Sequence, residues 1–376
     1  MLWKEAIDHT LAITRANIER FGTRFPHVSD GDRTYQLNDN TDWTDGFWSG
    51  ILWLSYEYSG ETRFRDAAVQ TVESFRHRLE NRIGIGHHDI GFLYSLSSKA
   101  QWIVERDEPA RKLTVQAADV LMERWRERTQ IFQAWGAEDD PDNGGRIIID
   151  CLMNMPLLHW AYEHTGNEKY RKRAQIHTER SRRFLVRGDG SSYHTFYFDQ
   201  QTGDSIRGGT HQGWMDGSTW TRGQAWGVYG FALAYRYLRD PAFLETSKQL
   251  ALYFLERLPE DGVVYWDFDV EVTPETKRDS SASAITACGI LELAEHLPQE
   301  DPDRERLIEG ARRQLESLYK YYAERDPNAQ GFLRRGSYGV KLGHSPDDYV
   351  IWGDYYYLEG LLRLERGIKG YWYDRK

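Results

Sequence analysis

Two aspartates in this chain stand where an acidic side chain can face a cavity instead of solvent. Asp150 follows the run Ile147-Ile148-Ile149, and Pro156 limits the helix that comes after it. An apolar setting disfavours ionisation, which is what a carboxylic acid needs to keep a proton near neutrality. Asp89, in HHDIGFLYSL, opens another helical run and is the natural second carboxylate for acid–base work. Each has a plainer reading as a helix N-cap that accepts a backbone N–H bond, and so do Asp45 and Asp279. That role fits Asp150 least, because the residues before it are not turn-like. His87 and His88 beside Asp89 invite a metal, yet neighbouring residues on a helix diverge, and no HExxH or paired Cys/His spacing supports one. GIGHHDIG lacks the lysine of a phosphate-binding loop, and no GxSxG elbow is present. Around these acids tryptophan recurs at or near the ends of the apolar helical runs: Trp43, Trp48, Trp135, Trp214, Trp220, Trp226, Trp266 and Trp352. Flat aromatics cover the apolar faces of sugar rings, while Asn, Gln, His, Asp and Arg satisfy the hydroxyls. Taken singly, each tryptophan also reads as core. The residues therefore point to a carboxylate-dependent carbohydrate-active enzyme that needs no cofactor and no metal.

The elements that must hold these groups show a repeat. Six runs of small and apolar residues open on Asp45, Asp89, Asp150, Arg222, Asp279 and Asp354. A helix apolar nearly all round, as in GQAWGVYGFALAYRY, belongs inside. Between them lie charged amphipathic stretches at roughly 3–20, 62–80, 108–127, 168–186, 241–257 and 303–324, with one apolar face each, as in Phe64, Ala67, Ala68, Val72 and Phe75. Those belong outside. Six inner and six outer helices alternating in sequence predict an all-α fold, an (α/α)6 barrel, with the inner N-termini and their polar residues at one end. The stretch around Gly203-Asp204 reads as a β-hairpin over the mouth, and residues 263–272 as a second β segment. No linker or low-complexity tract divides residues 1–376, so one catalytic domain is expected.

A net charge of −10 argues against nucleic acid or an anionic membrane as partner. No apolar stretch has the length of a membrane span, and the N-terminus reads as a helix with Ile7, Leu11 and Ile18 on one face instead of a signal peptide. Cys151 and Cys288 lie inside apolar runs, as buried reduced thiols do, which makes the cytoplasm the expected compartment.

These same residues carry a resemblance. NDNTDWTDGFWSGILW (38–53), HHDIGFLYSLS (87–97), QAWG (133–136), NGGRIIIDCL (143–152), SSYHTFYFD (191–199), GGTHQG (208–213), DGSTWTRGQAWG (216–227), RDSSASAITACG (278–289) and SPDDYVIWGDYYYLE (345–359) are similar to the unsaturated glucuronyl hydrolases, family 88 of the glycoside hydrolases. The matches run through nearly the whole chain, and the family's (α/α)6 barrel agrees with the helix count. The resemblance implies release of a 4,5-unsaturated glucuronic acid from the non-reducing end of a small, lyase-generated oligosaccharide, by hydration of its C4=C5 vinyl ether. It implies Asp150 as the proton donor that also helps activate water, and Asp89 as the second essential aspartate, which holds sugar hydroxyls and orients Asp150. It further implies Trp43, His88, Trp135, His194, His211, Gln212, Trp220, Arg222 and Trp226 as substrate-binding residues, with Arg222 and His194 or His211 giving the positive potential an anionic sugar needs. Pairing of Arg222 with a barrel acid is the plainer alternative. Ser337, in RRGSYGVKLGHS, lies in a loop that related enzymes bring near a sulfate on the second sugar. An unsaturated rhamnogalacturonyl hydrolase, which shares barrel and mechanism, is the nearest alternative. A sugar 2-epimerase using histidine bases and a non-catalytic sugar-binding protein are more distant ones.

Overall fold

Charged amphipathic helices alternate with apolar ones along the chain. The computed structural model, which describes residues 2–375, runs α1 (Leu2–Phe21), α2 (Asp45–Ser59), α3 (Thr62–Glu80), α4 (Ile90–Ser95), α5 (Ser98–Glu105), α6 (Glu108–Met122), α7 (Met155–Thr165), α8 (Glu168–Leu185), α9 (Thr221–Leu238), α10 (Pro241–Glu256), α11 (Ser280–Ala294), α12 (Arg304–Ser317) and α13 (Ile351–Arg366). The inner ring is α2, α4–α5, α7, α9, α11 and α13; each packs on the next, and α13 returns to α2 to close it. The outer layer is α1, α3, α6, α8, α10 and α12. On α3, Phe64, Ala68, Val72 and Phe75 are fully buried while Arg63, Asp66 and Glu73 point outward, Ala67 lying half-buried at the edge of the face; Arg78, near the end of the helix, turns inward and is buried. Burying each large apolar side chain contributes about 1.5–3 kcal/mol, which is what holds such a charged helix in place. No helix among the described residues is long and apolar enough to cross a membrane.

Two inner positions depart from one continuous helix. The second is broken at Ser97 into α4 and α5, and the third begins with a 3-10 turn at Ile149–Met153 before α7, where Pro156 occupies the first turn. Proline tolerates a first turn because its missing N–H has no helical partner there.

The barrel's two ends differ. At one end α2, α4, α7, α9 and α13 begin without a side-chain cap bond; only Asp279 caps an inner helix, accepting from the Ser281 and Ala282 N–H groups. Three outer helices, by contrast, are capped by Asp107, Asn167 and Asp240. Asp45 and Asp354 are not caps either: Asp45 pairs with Arg78 at 3.2 Å, and Asp354 accepts from the Phe332 and Leu333 N–H groups and the Tyr35 hydroxyl. The other end is stoppered by Tyr371-Trp372-Tyr373, with the Trp372 ring stacked on Tyr356 at 6.1 Å. There Glu292, Glu359 and Arg363 form a buried ionic network, with Arg363 bonded to both carboxylates.

Over the mouth lies a three-stranded antiparallel sheet in which β5 (Arg146–Ile148) pairs with β6 (Thr195–Phe198), and β6 with β7 (Ser205–Gly209); two two-stranded pairs, β1 (Phe25–Ser29) with β2 (Tyr35–Asn38) and β3 (Trp125–Arg126) with β4 (Ile131–Phe132), precede them in the chain. The expected hairpin at Gly203-Asp204 is thus β6–β7. The expected β segment at 263–272 makes only isolated bridges, Trp220 with Asp267 and Tyr265 with Arg278. Its carboxylates explain the difference: Asp267 accepts from the Trp214 N–H and Asp269 from the Thr219 N–H, replacing a ladder by side-chain bonds. Cys151 and Cys288 are buried free thiols, as expected.

Candidate active site

Asp89 and Asp150 come from different inner helices, and a glycine makes their approach possible. A Cβ on Gly91 would stand 2.4 Å from the Asn154 Cα, so only glycine lets the start of α4 touch the start of α7. Asn154 fills that contact. Its Oδ1 accepts from the Phe92 N–H at 2.9 Å, while its Nδ2 donates to Asp89 Oδ1 at 3.3 Å and to the Asp150 carbonyl at 3.5 Å. On the far side, a Cβ on Gly230 of α9 would meet the Leu152 Cβ at 2.4 Å, so the 3-10 turn that carries Asp150 is pressed against α9.

The two carboxyls have different surroundings. Burial alone would raise the pKa of Asp89, but His88, His87 and the Asn154 amide together hold it below the usual value. Asp150 is pushed up to about 7, first by burial and then by the charge of Asp89, against weaker pulls from Arg222 and the Trp226 indole. Near neutrality the site therefore holds one ionised acid and one poised to give or take a proton. Buried polar atoms without a hydrogen-bond partner among the described residues lie here as well: Asp150 Oδ2 and His194 Nε2, 3.9 Å apart, and Nε1 of Trp226, whose indole acts on Asp150. Buried polar groups are normally paired, so such a cluster marks a place where the fold gives up stability for function.

Around the acids opens a cleft of about 540 Å³ lined by Trp43, His88, Asp89, Trp135, Asn143, Arg146, Asp150, His211, Gln212, Tyr338, Gly339, Leu342 and His344. Seven of the residues named from sequence meet there: Asp89, Asp150, Trp43, His88, Trp135, His211 and Gln212. Trp43 lies 5.3 Å from Trp352 and reaches the Tyr338 hydroxyl, and Trp135 lies 5.3 Å from His211, so both rings offer apolar faces beside polar groups.

The other four, His194, Trp220, Arg222 and Trp226, do not line the cleft but form its floor, each 3 % exposed or less. His194 Nδ1 accepts from the His211 and Gln212 N–H groups at 3.1 and 3.2 Å, which places its proton on Nε2, 3.9 Å from Asp150 Oδ2. Burial, followed by Arg146, lowers its pKa well below the usual histidine value. Arg222 is ion-paired with Asp279 at 2.7 Å, and its terminal nitrogens also donate to the carbonyls of Ser337 and Tyr338. Neither therefore supplies the uncompensated positive charge expected of it. Nor does His211, whose pKa burial lowers. Ser337 is itself buried and meets the floor through its carbonyl.

Sequence reasoning missed Asn143, Arg146, Tyr338, Gly339, Leu342 and His344 as lining residues. For Arg146 a signal was present: a lone cation opening the otherwise apolar RIII run, four residues before Asp150. Tyr338 and His344 lie in the 334–345 loop, where nothing in the local pattern separates rim from surface.

Comparison with known proteins agrees with this geometry. A family model described as Glycosyl Hydrolase Family 88 matches residues 17–365. The chain is 65% identical over 375 residues to an unsaturated glucuronyl hydrolase of Bacillus sp. (strain GL1), covering 100% of each. Among solved structures it is similar to the unsaturated glucuronyl hydrolase of Bacillus sp. GL1 described as responsible for the degradation of glycosaminoglycan, with TM-score 0.98, 65% identity and 99% of each chain covered. It is also similar to a mutant unsaturated glucuronyl hydrolase of Streptococcus agalactiae complexed with dGlcA-GalNAc6S, with TM-score 0.88, 41% identity, 98% of this chain and 93% of that one.

Proposed function

This chain belongs to glycosyl hydrolase family 88 and is a hydrolase that releases unsaturated glucuronic acid from small oligosaccharides, and from that premise we propose that Asp150 is its acid and Asp89 the ionised partner that keeps Asp150 protonated. Ordinary glycosidases protonate the glycosidic oxygen and attack the anomeric carbon, using a pair of carboxyls at a set separation. Hydration of the C4=C5 vinyl ether needs one well-placed acid instead. Asp150 gives its proton to C4 as charge develops at C5 and the ring oxygen; water adds at C5 and returns a proton to Asp150. The C5 hemiketal then opens and rearranges, expelling the remaining sugar.

The observation that carries this reading is the pair of environments: a carboxyl raised to about 7 beside one held below its usual value, both facing one cleft. Trp43 and Trp135 supply the apolar faces for the sugar; His88, His211 and Gln212 supply polar contacts. His194, Trp220, Arg222 and Trp226 complete the site from beneath, where the unpartnered His194 and Trp226 N–H groups bear on Asp150. The uncapped N-termini of the inner helices carry partial positive charge toward the mouth, which favours an anionic sugar. We further assign the closed ring of helices to one catalytic domain over residues 1–376, needing no nucleic acid or membrane partner, and its buried free thiols to a reducing cytoplasm.

Asp150→Asn tests the acid. Loss of kcat by about 10²–10⁴-fold with KM little changed is expected, read from the decay of the ultraviolet absorbance of the conjugated uronate. A kcat near wild type would remove Asp150 from the role.

A further inference from the structure

A cleft that takes an anionic sugar beside two aspartates needs a cation of its own, and the floor residues do not provide it. Among the residues lining the cleft, Arg146 alone is an arginine or lysine. It is 7 % exposed, and no carboxylate among the described residues pairs with it. Its Nε donates to Thr195 Oγ1 at 3.0 Å and its Nη1 to Asn143 Oδ1 at 3.3 Å, both neutral acceptors, and Nη2 has no acceptor among the described residues. Trp135 and Tyr197 hold the guanidinium between them, their ring centroids 4.9 and 5.1 Å from its carbon.

Other buried guanidiniums in the molecule are treated differently. Arg78 has Asp45, Arg222 has Asp279, and Arg363 has Glu292 and Glu359. Arg124, which lacks an acid, spends its nitrogens on the carbonyls of Gln133 and Gly136. A desolvated cation without a counter-ion is costly, and it gains most from a charge-assisted bond to an oxyanion, which a fixed guanidinium edge is shaped to receive.

The structure assigns to Arg146 the recognition of the substrate's oxyanion, either the uronate carboxylate or a sulfate on the adjoining sugar; this rests on the hydrolase reading above. The residue is a substrate-binding group and takes no part in proton transfer.

The test compares wild type, Arg146→Gln and Arg146→Lys on two lyase-generated unsaturated disaccharides that differ only in one sulfate. For Arg146→Gln, KM is expected to rise about tenfold or more with kcat within a few fold, with part of the loss recovered in Arg146→Lys. The wild-type KM should rise with ionic strength, and that dependence should flatten in the glutamine variant. A rise on both disaccharides identifies the carboxylate; a rise on the sulfated one alone identifies the sulfate. An unchanged KM on both, or a collapse of kcat in both variants at constant KM, overturns the assignment while the wild type's turnover leaves the hydrolase reading standing. Wild type inactive on both overturns the reading and the assignment together. Melting curves of the lysine variant show whether any loss is of folding instead.

Discussion

The ionised carboxylate of Asp89 is one of the two principal causes that lift Asp150 to about 7, and Asn154 ties the two residues together by bonding to the side chain of the first and the backbone of the second. Acid strength in this cleft is thus a property of the pair.

That coupling fixes a pH dependence. Asp150 must carry a proton to act, so kcat should fall as pH rises through about 7. Asp89→Asn removes a charge that raises the Asp150 pKa, so the falling limb of its residual activity should move to lower pH by about one unit. A pH–rate profile of both enzymes checks this; a limb that stays in place in Asp89→Asn would disconnect the two carboxyls.

Stability should show the same group. The folded pKa of Asp150 lies above the ordinary aspartate value of 3.8, so the folded state holds that proton more tightly and loses stability as pH rises from about 4 to about 7. Each pH unit in that window is worth up to about 1.4 kcal/mol for one group. Asp150→Asn, which cannot ionise, should therefore melt above wild type at about pH 8 and at nearly the same temperature at about pH 4. Thermal melts at the two pH values decide it.

Arg222→Ala should act mainly on folding. It strands Asp279, fully buried, without the guanidinium 2.7 Å away, and removing one member of a buried ion pair costs about 3–5 kcal/mol. Arg222→Ala/Asp279→Asn should recover part of that loss. Denaturant melts of the two single variants and the double variant form the cycle that measures it; additive losses would mean the pair does not couple.

Gly91→Ala should damage both stability and rate. Its methyl group has no room beside Asn154, so α4 must move and carry Asp89 with it. A loss of about 1–3 kcal/mol is expected from the overpacking, together with a fall in kcat larger than any change in KM. Melting temperature and steady-state kinetics on the same preparation provide the check.

Much of this protein was legible from residue order alone. Alternation of charged amphipathic helices with apolar ones follows from helical periodicity and burial, both local properties, so the double ring and the mouth bearing Asp89 and Asp150 could be read directly. The shared motifs then named the family. What the order of residues left open depends on partners distant in sequence. Asp45, Asp150 and Asp354 all follow the same pattern at the start of an inner helix, and only the fold gives Asp45 an arginine, Asp354 two backbone N–H groups, and Asp150 a buried position beside a second carboxylate. Likewise, which arginine is free was decided by tertiary structure: Arg222 pairs with Asp279 at the start of α11, while Arg146 donates its side-chain hydrogen bonds only to neutral groups. Charge and proton affinity belong to the three-dimensional surroundings of a group, because burial and Coulomb forces act through space and take no account of position along the chain.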